Sequence, residues 1–263
     1  MKIVVIGGTG LIGSKLVTKL TDAGHEAVPA SPRLGIDTIT GEGLDAALEG
    51  ASAVVDVSNS PNFQHAVAVE FFQTSTAHLV AAEAKAGVGH HVALSVVGTS
   101  TLAENGDPET TTAGYFQAKR TQEELIAASG IPYTIVHATQ FFEFVKGIAD
   151  GAKSDGNAVH LPSVAFQPMA ADDVAAALAR IAMGTPVNGI VEIGGPESFR
   201  LDELIRRGLR ELGDPREVVT DPSAGYFGIT VTERTLVPDD GATLGETRFE
   251  DWLAAQPAPA AAG

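Results

Sequence analysis

Residues 2–20 constrain this chain more than any other stretch. Lys2–Ile6 (KIVVI) is a short apolar run rich in β-branched residues. It breaks into Gly7-Gly8-Thr9-Gly10-Leu11-Ile12-Gly13 and continues as Ser14–Leu20 at helical spacing. An unbroken β-branched run suits a strand buried on both faces. A strand, a glycine turn and a helix, in that order, form the setting in which backbone binds a dinucleotide's phosphates. Gly7 permits the tight turn, Gly10 lets backbone approach a pyrophosphate with no Cβ between, and Gly13 lets the helix pack close on the strand. Thr9, Leu11 and Ile12 complete the loop, whose first-turn N–H groups face the phosphate charge. The spacing is G-x-x-G-x-x-G, not G-x-G-x-x-G. A glycine-rich turn without a ligand is the competing reading; the strand before it and the helix after it argue against that.

Two periods alternate through the first two-thirds. Strands are expected at Lys2–Ile6, Glu26–Ala30, Ile36–Thr38, Ala53–Val57, His91–Val97 and Tyr133–His137. Helices are expected at Leu11–Ala23, Gly43–Glu49, Phe63–Ala86, Gly114–Ala128 and Phe141–Ala149. This alternation implies an α/β fold, a doubly wound parallel sheet covered on both faces. Gly24, Gly50, Gly87 and Gly130 each follow a helix where a left-handed residue is wanted. Residues 1–150 then form the dinucleotide-binding core. Residues 151–255 form a small substrate lobe interleaved with it: a broken stretch over 151–168, a helix Asp173–Met183, a strand Ile190–Ile193 and helices Leu201–Leu212 and Thr247–Ala255. The tail 256–263 (QPAPAAAG) is expected to be disordered.

Composition narrows the function classes. The 263 residues hold no cysteine, which excludes disulfides and thiolate chemistry. The net charge of −16 opposes binding to a nucleic-acid backbone. The apolar start is too short for a signal-peptide core, and no apolar run reaches membrane-span length. The expectation is a soluble cytoplasmic protein, monomer or homodimer, with a small-molecule substrate and neither nucleic acid nor membrane as a partner.

The cofactor can be narrowed. A site selective for NAD carries a carboxylate after the second strand, for the ribose 2′-hydroxyl. Here Pro29-Ala30-Ser31-Pro32-Arg33 offers a hydroxyl and a guanidinium, which suit a 2′-phosphate. Ser31 and Arg33 therefore favour NADP(H) over NAD(H), with an ordinary exposed loop arginine as the alternative. Pro29 hints that the second strand ends early. Val57, Ser58 and Asn59, at the end of the fourth expected strand, belong beside the adenosine half or the bridge, unless Ser-Asn-Ser-Pro is simply a turn.

Catalytic candidates follow the strand ending at Leu94-Ser95-Val96-Val97-Gly98-Thr99-Ser100. Twenty residues past Ser95, Tyr115 and Lys119 stand at i and i+4 and share a helix face. A lysine ammonium beside a phenol lowers the phenol's pKa, and a tuned phenol can exchange a proton at a carbonyl oxygen. Lys119 would also hold the nicotinamide ribose, and a serine hydroxyl would orient the acceptor. Chance spacing and an ordinary Lys119–Glu123 surface pair are the bland alternatives.

These motifs together resemble the NmrA-like, atypical short-chain dehydrogenase/reductase group with an NAD(P)-binding Rossmann fold. The resemblance rests on GGTGLIG at 7–13, VVDVSNS at 54–60, AGVGHHVALSVVG at 86–98, YFQAK at 115–119, GIPYTIVHATQFFEF at 130–144 and QPMAADDVAAAL at 167–178. It covers nearly the whole chain. It implies an oxidoreductase moving hydride between the nicotinamide and a small apolar carbonyl or quinone-type substrate. It equally admits a regulator that binds NADP(H), catalyses nothing and acts through a protein partner; the retained Tyr115 and Lys119 favour the enzyme. A transient use of the nicotinamide by an isomerase is a third possibility. Whether Ser95, Thr99 or Ser100 meets the substrate stays open. By resemblance Ala138, Thr139 and Gln140 pass the nicotinamide. Val97, Phe141, Phe142 and Phe144 would wall the substrate pocket, at least one phenylalanine being core instead.

Other signals are weaker. His90 and His91 are adjacent on a strand and point to opposite faces, so no metal is expected. Asp172 and Asp173 are expected to cap the helix that follows. Ser95 sits in no G-x-S-x-G elbow. Phe249 and Trp252 either cover the pocket or dock the C-terminus.

Overall fold

The structure is a computed structural model describing residues 1–109 and 112–256. Residues 257–263 of the tail expected to be disordered lie outside the described residues. From the amino terminus, β1 (Lys2–Ile6), α1 (Leu11–Asp22), β2 (Glu26–Ala30), α2 (Leu44–Leu48), β3 (Ala53–Asp56), α3 (His65–Ala86) and β4 (His91–Val96) alternate. Next come α4 (Thr99–Glu104), α5 (Ala113–Ala128), β5 (Tyr133–Ala138) and α6 (Val145–Asp150). The remainder is β6 (Lys153–Asp155), β7 (Ala158–Leu161), β8 (Ala165–Phe166), α7 (Ala171–Ala182), β9 (Gly189–Gly194), β10 (Phe199–Arg200), α8 (Leu201–Glu211), β11 (Glu217–Thr220), β12 (Thr243–Leu244) and α9 (Phe249–Ala254).

A seven-stranded sheet runs β2-β1-β3-β4-β5-β9-β12, and every pairing in it is parallel. This is the Rossmann-type doubly wound sheet. Its centre shows why KIVVI is apolar throughout. Ile3 and Val5 pack with α1 and α7 on one face, while Val4 and Ile6 pack with α2 and α3 on the other. Each such side chain, fully buried, contributes on the order of 1.5–3 kcal/mol. Gly24, Gly50, Gly87 and Gly130 take positive φ after their helices, as expected.

Three local expectations are corrected. Ile36–Thr38 is not a strand: Gly35 is left-handed, and Asp37 folds back to accept the Ile39 N–H at 2.7 Å. The strands expected as fourth, fifth and sixth are therefore β3, β4 and β5. β2 does not end early, because it is the sheet's edge. Pro29 pairs opposite Val5 on its single bonded side, and its missing N–H deprives no neighbour. Asp172 and Asp173 do not cap α7. Asp172 pairs with Lys15 at 2.7 Å, and Asp173 accepts from Thr247 N, Thr247 Oγ1 and Glu246 N. The Ala171 N–H at that helix end is met instead by Glu143, at 3.2 Å.

The broken stretch after 150 builds a second layer. β11-β7-β6 form a small sheet, and α6 and α8 pack beside it. Its core holds Phe142, Phe166, Leu204, Tyr226, Phe249 and Trp252. Phe142 lies 5.1 Å from Phe249 and 5.6 Å from Trp252, ring to ring, so α9 docks on the core here. Meanwhile β9, β12 and α7 return to the main sheet. No helix among the described residues is long and apolar enough to cross a membrane.

Glu143 joins the layers: one oxygen accepts the Trp252 indole N–H at 3.1 Å while the carboxylate meets Ala171 N. Glu143→Ala leaves two donors unpaired in partly buried surroundings. The expected cost is about 1–3 kcal/mol, read as a lower urea midpoint with an unchanged slope.

Candidate active site

The opening turn is built by backbone contact. Gly7 turns at φ 76°, and the N–H groups of Gly7 and Gly8 both donate to Ala30 O, at 3.0 and 3.2 Å. A Cβ on Gly13 would lie 2.2 Å from Gly7 O, so α1 rests on the turn itself. A Cβ on Gly7 would press the Val57–Ser58 backbone at 3.0 Å, and one on Gly10 would stand 3.3 Å from Gly7 O. Ile12 and Gly13 are buried; Thr9, Gly10 and Leu11 are exposed. No side chain caps α1, so its first-turn N–H groups are left for an outside acceptor.

Around this turn lie hydroxyls without partners. Ser31, Ser58, Ser60 and Thr139 each bury a hydroxyl oxygen that has no hydrogen bond among the described residues. They stand at or just past the carboxyl ends of β2, β3 and β5. Buried polar groups are nearly always paired, and such an edge of a doubly wound sheet is its ligand crevice. An uncapped helix end, a cradle that any Cβ would fill and a row of unpaired hydroxyls fit a pyridine dinucleotide. Arg33 follows Ser31 in a short 3-10 turn, Pro32–Leu34, exposed and without an ion pair among the described residues. Asn59 accepts the Ser60 N–H at 3.0 Å, which is turn chemistry. Val57 continues β3 by donating to Ile6 O at 3.0 Å, and Gln140 O accepts Met169 N at 2.8 Å. Ala138 ends β5, buried.

The structure arranges the catalytic candidates differently from the sequence expectation. Tyr115 and Lys119 do share a face of α5, but their polar ends have separate surroundings. The Tyr115 ring meets Phe63, Phe72 and Phe116 edge-on, at 5.0, 6.0 and 5.4 Å between centroids. Burial there pushes its pKa above the usual 10.0 instead of lowering it. The Lys119 ammonium donates to Leu94 O at 2.7 Å and to Gln122 Oε1 at 2.5 Å. Burial brings it down to about 8, against the pull of Asp56 and Glu123. The tuning of the phenol by Lys119 is thus corrected: aromatic burial dominates, and the cation turns toward buried carboxylates.

Ser95 is 3% exposed and donates to Glu123 Oε1, an oxygen that also sits 3.1 Å from His137 Nε2. Thr99 donates to Val96 O at 2.6 Å. Ser100 is exposed and its hydroxyl makes no hydrogen bond among the described residues. Val97 is buried beside the turn at Gly98. Phe142 is core, whereas Phe141 stacks on the exposed Phe144 at 5.3 Å. His90 and His91 take separate partners, Thr134 Oγ1 and Glu83, each at 2.9 Å.

Two aromatic residues escaped the sequence reading. Phe63 precedes α3 and stands edge-on to Tyr115 while 52% exposed. Tyr226, 1% exposed, comes from the lobe into the core that Tyr115 packs against, and a charge on Tyr115 would raise its pKa further. Neither carries a spacing that ties it to Tyr115. Beyond Tyr226 the chain crosses the ends of the central strands: a Cβ on Gly98 would lie 2.4 Å from Thr235 O, and one on Gly194 would touch both Pro238 and Thr139. A cleft of about 410 Å³ opens against Gln167, Ser198, Arg234 and Pro238.

A family described as NAD(P)H-binding matches residues 7–183. The chain belongs to that family. Among curated proteins it is 30% identical over 230 residues to the (4-alkanoyl-5-oxo-2,5-dihydrofuran-3-yl)methyl phosphate reductase of Streptomyces griseus subsp. griseus. That match covers 81% of this chain and 74% of the reductase. MoeE5, solved with UDP-glucose and NAD, shares the fold with a TM-score of 0.66 at 19% identity, covering 97% of each chain. A dTDP-4-dehydrorhamnose reductase from Clostridium acetobutylicum gives 0.65 at 14% identity, covering 93% of this chain and 95% of its own. The UDP-glucose 4-epimerase of Thermus thermophilus, complexed with NAD, gives 0.64 at 18%, covering 86% and 88%. The short-chain dehydrogenase/reductase resemblance stands, and with it the Rossmann fold. NAD(P)H binding and oxidoreductase kinship follow.

Two measurements test this geometry. Gly13→Ala drives a methyl into Gly7 O and should weaken both NADPH and NADH at least about tenfold by calorimetry, a loss of about 1.4 kcal/mol. Ultraviolet titration to pH 10.0 should not distinguish the wild type from Tyr115→Phe, because the half-buried phenol, packed among phenylalanines, keeps its proton past that value.

Proposed function

We propose that the protein is an NADP(H)-dependent oxidoreductase acting on a small, mostly apolar carbonyl or quinone-type compound. Tyr115 carries this reading: a phenol held un-ionised in an aromatic pocket, in a chain of the NAD(P)H-binding family. When bound, the dinucleotide supplies or accepts hydride at C4 of the nicotinamide. Gly7, Gly10 and Gly13, with the N–H groups of Leu11 and Ile12, hold the diphosphate. Ser31 and Arg33 take the 2′-phosphate, Ser58 the adenosine side, and Ala138, Thr139 and Gln140 the nicotinamide side. Tyr115 keeps its proton until negative charge develops on the acceptor oxygen, then donates it. Lys119 holds the ribose through the one N–H left after its two internal bonds. Ser95 and Thr99 spend their hydroxyls internally, so Ser100 is the hydroxyl of that stretch that meets the acceptor.

Phe63, Phe141 and Phe144 offer the apolar wall. The Streptomyces reductase is named for an alkanoyl-bearing dihydrofuranone phosphate, and the likeness supports a conjugated, acyl-bearing carbonyl within the proposed class. The reading places residues 1–150 as the cofactor part and 151–255 as the substrate lobe, in a cytoplasmic monomer or homodimer. One observation favours a second reading, an NADP(H)-sensing NmrA-like regulator: Lys119 is turned away from the phenol.

Anaerobic NADPH oxidation across aldehydes, ketones, enones and quinones, with NADH as control, separates the two. The enzyme reading expects turnover with NADPH, cut about 100-fold or more by Tyr115→Phe at unchanged cofactor affinity. No turnover with any acceptor, or full turnover in Tyr115→Phe, would reject it. Arg33→Ala should weaken NADPH about tenfold and leave NADH alone; equal loss of both would remove the 2′-phosphate assignment.

A further inference from the structure

A buried line of hydrogen bonds joins the dinucleotide crevice to α5. Asp56, 2% exposed at the end of β3, uses both carboxylate oxygens. Oδ1 accepts the Ser58 N–H at 2.9 Å, and Oδ2 accepts from Gln122 Nε2 at 2.9 Å. With its amide nitrogen committed to Asp56, Gln122 must turn its carbonyl oxygen the other way, where it meets Lys119 Nζ at 2.5 Å. The reversed amide would set an NH2 against an ammonium and an oxygen against a carboxylate, so an ionised Asp56 fixes the orientation. Ser58 is the residue whose backbone a Cβ on Gly7 would meet at 3.0 Å and whose hydroxyl lacks a partner among the described residues.

We propose that Asp56 and Gln122 are positioning residues that couple dinucleotide seating at the Gly7–Ser58 edge to the placement and charge of the Lys119 ammonium. The role of Lys119 in the reaction rests on the reductase reading; the coupling itself does not. A ligand that shifts the Ser58 backbone shifts the Asp56 carboxylate, and through Gln122 one of the two acceptors that hold Lys119. Linkage makes the effect mutual: what the ligand does to the lysine's proton affinity, the proton does to the ligand's affinity. The groups facing Lys119 are Asp56 from β3, Glu123 from its own helix and the Phe72 ring from α3, at 4.7 Å. Behind the carboxylates stand Glu83 with His91, and His137 with Glu192. Since the dinucleotide brings negative charge, its binding favours the protonated amine.

The test follows the Lys119 Cε–Nζ resonances of the labelled full-length protein across pH, with and without NADP+, beside calorimetry of NADP+ at pH 7 and pH 9. In the wild type the midpoint lies near 8, rises with NADP+, and binding is tighter at pH 7. Asp56→Asn and Gln122→Met each lower the midpoint by about one unit, and both shrink the pH difference in affinity. Gln122→Met keeps the side-chain volume and serves should Asp56→Asn fail to fold. A midpoint that NADP+ does not move, or that both variants leave in place, overturns the coupling. These readouts need no turnover, so an inactive wild type would remove the reductase reading and leave this inference standing.

Discussion

The contact between α1 and its own turn sets the rest of the molecule. Gly13 lies against Gly7 O with no room for a methyl group, and that closeness holds the helix end over the strand ends. The same turn presses Gly7 on Ser58, and Ser58 hangs on Asp56. From there the hydrogen bonds continue through Gln122 to Lys119. Charges buried this deeply persist only when paired, since an isolated buried ion is strongly disfavoured. The polar interior between the sheet and α5 is therefore continuous with the glycine turn, not a separate feature.

The lobe depends on the core in a different way. It has its own small sheet and aromatic cluster, but β9, β12 and α7 re-enter the main layers. Glu143 and Asp173 tie those returning elements to the carboxyl-terminal segment by accepting from its backbone and indole N–H groups. The strand ends are crossed by the chain around Thr235 and Pro238, close enough that a Cβ at 98 would meet Thr235 O and one at 194 the Pro238 ring. The surroundings of Tyr115 are drawn from parts of the chain far apart in sequence.

Several features were legible because they are local. The apolar runs, the glycines after helices and the hydroxyl in place of a carboxylate after β2 all read directly from short stretches. The misreadings share a cause. Tyr115 and Lys119 stand four apart on one helix face, and spacing alone implies that the two polar ends meet. Spacing does not say that Asp56 and Glu123 will compete for the ammonium, or that three phenylalanines will enclose the phenol. Asp172 and Asp173 look like helix caps until Lys15 and Thr247 arrive from elsewhere in the chain. Pro29 looks like a strand end unless its strand is the edge. Phe63 and Tyr226 carried no signal, because only folding brings them toward Tyr115.

The sequence by itself determined the alternation of strands and helices, the glycine turn between β1 and α1 and the kinship with NAD(P)H-binding proteins. All three follow from residues near one another along the chain, whose backbone preferences and apolar period act before any tertiary contact exists. The partners of each buried polar group were decided only by the tertiary structure. A carboxylate or ammonium taken out of water accepts whichever opposite group lies nearest in space, and that neighbour comes from a distant strand or helix.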